Sequence, residues 1–202
     1  MRQSAASAET ASATMATPAD LDQALVCEIA RGNQLAMRTL FTRHQVRVYR
    51  FVLRIVRDRA VAEDVLSEAF LDVWRRADRY QGRAAVSTWL LSIARNKALT
   101  ALKARSNEPF DGESETAIAD PARDPEAELR EKDRGAALRR CVSALSPEHG
   151  QIIDLVYYQE KSMREIAEVL RIPLNTVKTR MFYARRRLAT MLAEQGVEPA
   201  PI

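Results

Sequence analysis

Glycine and proline are scarce in this chain: its 202 residues include only six of the first and eight of the second. A turn-rich all-β fold needs more of both. Ala, Leu, Arg and Glu, all good helix formers, are plentiful, so an all-α fold is expected. Cysteine is rarer still. Cys27 and Cys141 lie far apart, and neither has a CxxC or Cys/His neighbour, so both read as ordinary cysteines of a reducing compartment. The two histidines, His44 and His149, have no second ligand at metal spacing and read as structural or surface residues. No apolar run approaches the roughly 18 residues that span a bilayer, so no membrane insertion is expected. Residues 1–19 are rich in Ala, Ser and Thr and lack an apolar stretch, reading as a disordered tail rather than a secretory signal. A cytoplasmic location is therefore expected. The chain also lacks a Gly-rich phosphate loop and a nucleophile–base pair, so neither an enzyme nor a cofactor is expected.

What is present is helical periodicity. A first helix can start near Thr17-Pro18 or Asp20 and run to about Ala30, where Arg31-Gly32-Asn33 offers a stop and a new cap. Met37, Leu40, Phe41, Val48, Val52 and Val56 then keep helical spacing. Asp58 is a further cap, followed by the stripe Val61, Val65, Leu66, Ala69, Phe70, Val73 and Trp74. The run from Arg79 to Arg83 breaks the pattern. Ser87 is expected to cap a helix from about Thr88 to Ala104, with Trp89, Leu90, Ile93, Ala94 and Leu102 inward. Residues 20–105 thus read as one bundle of about four helices.

Residues 106–133 differ. They carry ten acids against three bases, and Pro109, Pro121 and Pro125 interrupt any helix, so they read as a flexible acidic linker. Residues 134–194 read as a second helical domain, with 195–202 a short tail. Ser146-Pro147 is a cap with proline in the first turn. Ser162-Met163-Arg164-Glu165 is a capping box that opens a short helix. Arg171-Ile172-Pro173 is a turn, and a longer helix follows from about Leu174. A short helix, a tight turn and a longer helix describe a helix-turn-helix.

That last helix is strongly basic. From 171 to 192 it has six Lys or Arg and no acid, which points to a polyanion partner. At about 100° per residue, Val177, Met181, Ala184 and Leu188 form one stripe. Asn175, Thr179, Phe182 and Arg186 lie opposite, with Lys178 and Arg185 on one shoulder and Thr176, Arg180 and Tyr183 on the other. This mixture of hydrogen-bonding, aromatic and cationic side chains suits a major groove. The plain alternative is a solvated basic face.

Two blocks resemble a known family. Ser146-Pro147-Glu148, Ser162 to Ala167, Ile172 to Arg180 and Ala184 to Leu188 look like region 4 of the ECF (extracytoplasmic function) sigma factors of the sigma-70 family. Ala62 to Val65, Phe70 to Trp74, Tyr80-Gln81-Gly82, Thr88-Trp89-Leu90 and Ile93 to Asn96 look like region 2. Asn175 and Glu160 stand where glycine is common in that family.

The resemblance implies a transcription initiation factor, acting in a stress or environmental response, that brings promoter specificity to RNA polymerase. Asn175, Thr176, Lys178, Thr179, Arg180, Phe182, Tyr183, Arg185 and Arg186 would read the −35 element. Tyr80, Gln81, Gly82, Arg83, Asn96 and Lys97 would read the −10 element as an unpaired strand, with Arg79 and Arg95 on its phosphates. Asp64, Ser67, Glu68, Leu71, Asp72 and Trp74 would dock on the clamp helices of the polymerase's largest subunit. The flap of the second-largest subunit, promoter DNA and an anti-sigma factor are the other implied partners. The linker acids Glu113, Glu115, Asp120 and Asp124 would thread toward the RNA exit channel. The alternative is a helix-turn-helix regulator that is not a sigma factor; it accounts for residues 134–194 but not for the block from Tyr80 to Asn96.

Overall fold

A computed structural model describes residues 17–106 and 135–196. Residues 1–16 of the expected tail, the linker acids and the proposed exit-channel path lie outside the described residues, as does Arg134, whereas Thr17, Pro18 and Ala19, expected in the tail, open the first helix because Thr17 caps it. Eight α-helices and one 3₁₀ turn make up the described part, with no strand among them. In chain order they are α1 (Pro18–Ala30), α2 (Gln34–Val56), α3 (Arg59–Arg76), the 3₁₀ turn Ala77–Arg79 and α4 (Val86–Ser106), followed by α5 (135–143), α6 (Pro147–Tyr157), α7 (Met163–Leu170) and α8 (Leu174–Glu194).

Side-chain caps set most of these boundaries. Thr17 and Asp20 close a capping box around the first turn of α1. Asn33 accepts from the Leu35 and Ala36 N–H groups at 3.0 and 3.1 Å, and Asp58 accepts from Val61 N–H at 3.1 Å. Each satisfies donors that a helix start would otherwise orphan, worth about 1 kcal/mol apiece. Ser146 does the same for α6, and Ser162 with Glu165 for α7.

Helix α4 departs from expectation at its start. It begins at Val86, because the Ala85 carbonyl already accepts from both Thr88 and Trp89 N–H. Ser87 is inside the helix, and its hydroxyl accepts from Lys161 Nζ instead of capping.

Helices α1–α4 pack around Leu40, Phe51, Val52, Val73 and Leu90, all fully buried. Ala62 and Ala69 on α3 and Ala94 and Ala98 on α4 are also fully buried, which lets these helices approach closely. In the second module α8 packs on α6 and α7 through Val177, Met181 and Ala184, the stripe expected from the helical angle. The two modules are in contact: α6 lies on α2 and α7 lies on α4. His44 is structural, its Nε2 2.7 Å from Asp22, which also pairs with Arg43 at 2.8 Å. Cys141 is buried and Cys27 is exposed.

Candidate nucleic-acid interface

Helix α8 presents the surface that its periodicity implies. Asn175, Lys178, Thr179, Phe182, Tyr183, Arg185 and Arg186 are exposed, while Thr176 and Arg180 are half-buried. Phe182 is 62% exposed and Tyr183 52%, an unusual position for two aromatic rings on a helix that has a packed face of its own. They meet edge to face at 5.4 Å between centroids. Arg180 is turned to Glu148 at 3.0 Å, so this shoulder is pinned to α6 rather than free to reach outward. The turn before α8 is shaped by Arg171, in the left-handed region at φ 54°. Ala167 and Glu168 carbonyls accept from Arg171 N–H, and Ala167 also accepts from Ile172 N–H.

The second candidate surface lies between the 3₁₀ turn and α4. Gln81, Gly82 and Arg83 are exposed at the tip, with Gly82 at φ 67°, which favours glycine. Tyr80 anchors the loop by donating its hydroxyl to the Ala84 carbonyl and by packing on Trp89 at 5.0 Å. Both rings are half-buried against the core, so Trp89 supports the loop as much as it faces outward. Burial is the first cause holding the Tyr80 hydroxyl above its ordinary pKa. Asn96 is half-buried on the same flank of α4.

Lys97 is placed differently from the expected strand contact. Its ammonium bridges Glu68 at 3.3 Å and Asp72 at 3.5 Å, because two carboxylates of α3 face it across the helix pair. The same geometry corrects the expected acidic face of α3. Asp64 and Glu68 are exposed, but Asp72 is only 8% exposed and also pairs with Arg76 at 3.6 Å. Each four-residue step advances about 40° around a helix, so two steps carry Asp72 from the outer face toward α4. Ser67 and Leu71 remain exposed beside Asp64, and Leu71 is 45% exposed. Trp74 is half-buried against the core.

Sequence reasoning missed the contacts that join the modules. Asp154, between Ile153 and Leu155 on α6, is 1% exposed and pairs with Arg54 of α2. Burial dominates its titration and raises its pKa to about 6, against the pull of Arg54 and Gln159. The Arg54 guanidinium also stacks on Tyr158 at 3.9 Å. Gln159 donates to the Arg47 carbonyl at 3.2 Å, and Arg57 donates to the Ser143 carbonyl at 3.2 Å. On the other side of the junction, Thr88 donates to Glu165 at 2.7 Å and Arg95 donates to Gln151 at 3.1 Å. Burial and then the nearby charges of Arg171 and Arg180 hold Arg95 below its ordinary pKa. The signal available in the sequence was Asp154 itself, a lone acid inside an apolar stripe. The lack of any acid in α2, which carries Arg38, Arg43, Arg47, Arg50 and Arg54, is a second.

Among the described residues no cluster of His, Cys, Asp and Glu is arranged to hold a metal ion, and no helix is long and apolar enough to cross a membrane.

Two family descriptions match separate stretches of the chain. The family description Sigma-70 region 2 matches residues 40–108, and Sigma-70, region 4 matches residues 135–188. The chain is 31% identical over 176 residues to the ECF RNA polymerase sigma factor SigK of Mycobacterium tuberculosis, covering 86% of this chain and 94% of that protein. It is 29% identical over 177 residues to the RNA polymerase sigma-H factor of Pseudomonas aeruginosa, covering 83% and 91% respectively. Among solved structures, CnrH in complex with the cytosolic domain of CnrY superposes with a TM-score of 0.63 at 23% identity, covering 87% of this chain and 99% of that one. The sigma factor RpoE of Bartonella quintana, in complex with the anti-sigma factor NepR, gives 0.61 at 22% identity, covering 77% and 96%. At these identities the two structures share the fold of this chain.

Proposed function

The chain belongs to the sigma-70 family, among its ECF sigma factors, and from that premise we propose how its two modules divide the work. The protein binds core RNA polymerase, recognises promoter elements and promotes melting for initiation. The phosphoryl transfer is the polymerase's; sigma factors are not enzymes, and this chain contributes no catalysis of its own. It works where the polymerase does, in the cytoplasm.

Helix α8 enters the major groove of the upstream element. Lys178 and Thr179 reach base edges or phosphates, Phe182 and Tyr183 offer apolar contact to thymine methyls, and Arg185 and Arg186 hold the backbone. The loop 80–83 and Asn96 take the downstream element after it is unpaired. A base out of the stack costs a few kcal/mol, offset by stacking on an aromatic such as Tyr80 and by hydrogen bonds to its edge. The exposed row Asp64, Ser67, Glu68 and Leu71 on α3 meets the clamp helices of the largest subunit, and the second module meets the flap of the second-largest. An anti-sigma factor is a further partner, as NepR is for RpoE of Bartonella quintana.

The observation that carries this reading is the acid-free, aromatic face of α8 on the same chain as the loop-and-α4 surface. An ordinary helix-turn-helix regulator accounts for the first and leaves the second without a purpose. The test is gel filtration with core polymerase in the absence of DNA, followed by run-off transcription. Co-migration and specific start sites are expected. A chain that elutes alone and directs no transcription is not acting as a sigma factor.

A further inference from the structure

Two cations of α8 are already engaged, and both partners sit on α6. Helix α6 packs along α8, which buries Val177, Met181 and Ala184. At about 100° per residue, Arg180 and Arg185 lie roughly 60° and 80° to either side of Val177. By the same reckoning Glu148 and Tyr157 lie on opposite sides of the buried pair Ile152 and Ile153 on α6. Each flank of the seam thus joins one residue of α6 to one arginine of α8. Arg180 pairs with Glu148 at 3.0 Å, and the Arg185 guanidinium lies over the Tyr157 ring, 5.8 Å from its centroid.

The two partners act on a guanidinium in different ways. A carboxylate takes N–H donors at the edge of the group and cancels its charge. An aromatic ring takes the face of the group, leaves the edge donors free and adds no charge. Arg180 is therefore spent, with its side chain only 28% exposed. Arg185 is held and still available. A free arginine side chain loses rotamer freedom when it grips a phosphate. Stacking on Tyr157 meets part of that loss before DNA arrives. The Tyr157 ring is 55% exposed, so core packing does not account for its place at the end of α6.

We propose that α6 sorts the cations of the recognition helix: Tyr157 is a positioning residue that presents Arg185 to the phosphates of the upstream duplex, and Glu148 withholds Arg180 from them. The inference rests on the sigma-factor reading for which duplex is bound, but the sorting itself is measured without polymerase.

The experiment follows binding of the full chain to a fluorescein-labelled duplex of mixed sequence by anisotropy across a salt series. Backbone contacts do not depend on sequence, so this probe reads them. Arg185→Gln flattens the plot of log affinity against log salt by about one. Tyr157→Ala keeps the slope and weakens binding roughly two- to fivefold. Tyr157→Phe binds like the parent chain, because the ring and not the hydroxyl holds the guanidinium. In the Arg185→Gln background Tyr157→Ala has no further effect. Glu148→Gln steepens the slope by about one, and adding Arg180→Gln to it restores the parent slope. Parent-like binding by Tyr157→Ala, a loss in Tyr157→Phe equal to that in Tyr157→Ala, the same loss without Arg185, or an unchanged slope in Glu148→Gln overturns the proposal. Run-off transcription by the parent chain tests the sigma-factor reading separately, so the two can fail independently.

Discussion

Thr88 on α4 donates its hydroxyl at 2.7 Å to the same Glu165 whose side chain closes the capping box of α7. One carboxylate therefore starts a helix in one module and ties that helix to the other. Thr88 itself is 1% exposed, so its hydroxyl has no water to fall back on.

The first prediction concerns this shared group. Glu165→Ala removes the reciprocal half of the cap and the partner of Thr88, and should lower unfolding free energy by about 1–2 kcal/mol. Urea denaturation monitored by circular dichroism checks it. Glu165→Gln keeps one acceptor oxygen, enough for Ser162 N–H or for Thr88 but not for both, and should lose less than the alanine variant. Equal losses would mean that the carboxamide reproduces neither contact.

The pH dependence of stability follows from two carboxylates that act in opposite senses. Asp154 has its pKa raised from 3.8 to about 6, so the folded chain holds this proton more tightly than the unfolded one. Its contribution is largest below about pH 4 and is lost as pH rises through about 6. Glu165 is also raised by burial, but hydrogen bonds from Ser162, Thr88 and Lys161 more than offset this and bring its pKa from 4.5 down to about 2. Its contribution is present above about pH 4.5 and is lost as pH falls through about 2. Urea midpoints from pH 7.5 down to about 4.5 should therefore rise from the Asp154 term, and Asp154→Asn should flatten that limb. A slope unchanged in Asp154→Asn would assign the limb to other groups.

On α8, Phe182→Ala should leave thermal stability within about 0.5 kcal/mol, because the ring is mostly solvated, while reducing transcription from the cognate promoter. Lys178→Ala should weaken promoter binding by polymerase loaded with this factor and lower the salt slope by about one. Fluorescence anisotropy over a salt series reads both. A Phe182→Ala chain that transcribes normally would remove the ring from the groove.

The α3 row divides into two kinds of acid. Asp64→Lys should abolish co-migration with core polymerase and leave folding intact. Asp72→Ala should instead cost about 1–3 kcal/mol of stability, because Lys97 and Arg76 lose a partially buried partner. Gel filtration and thermal melting in parallel separate these outcomes; a destabilised Asp64→Lys would show that its face is not free.

Helix boundaries were legible in the sequence wherever the cap chemistry is unambiguous. Asn33, Asp58, Ser146 and Ser162 each cap the helix that their position announces. Ser87 has the same chemistry and is spent on Lys161, because Ala85 starts the helix first. The buried and exposed stripes of α8 follow from its angle alone. The docking of the modules does not. Asp154 announces that it needs a partner, but α2 offers five arginines, and nothing local selects Arg54, which lies 100 positions away. Asp72 fails for a related reason, since four-residue spacing drifts around a helix and the neighbour that turns it inward, Lys97, comes from another element. Glu160 was legible as an unusual residue in a turn and proves to sit at φ 54°, where a side chain is strained and glycine is relaxed.

The 100-residue separation of Arg54 and Asp154 has a consequence for synthesis. At about 5–20 residues per second, a ribosome needs roughly 5–20 s to travel between the two codons, and longer before α6 clears the exit tunnel. Throughout that interval the first module is bare on its arginine-rich side. The nascent half-chain thus shows to solvent the Arg54 and Arg57 side chains that the finished protein engages with α6 and Ser143, and translation speed across the second half sets how long it does so.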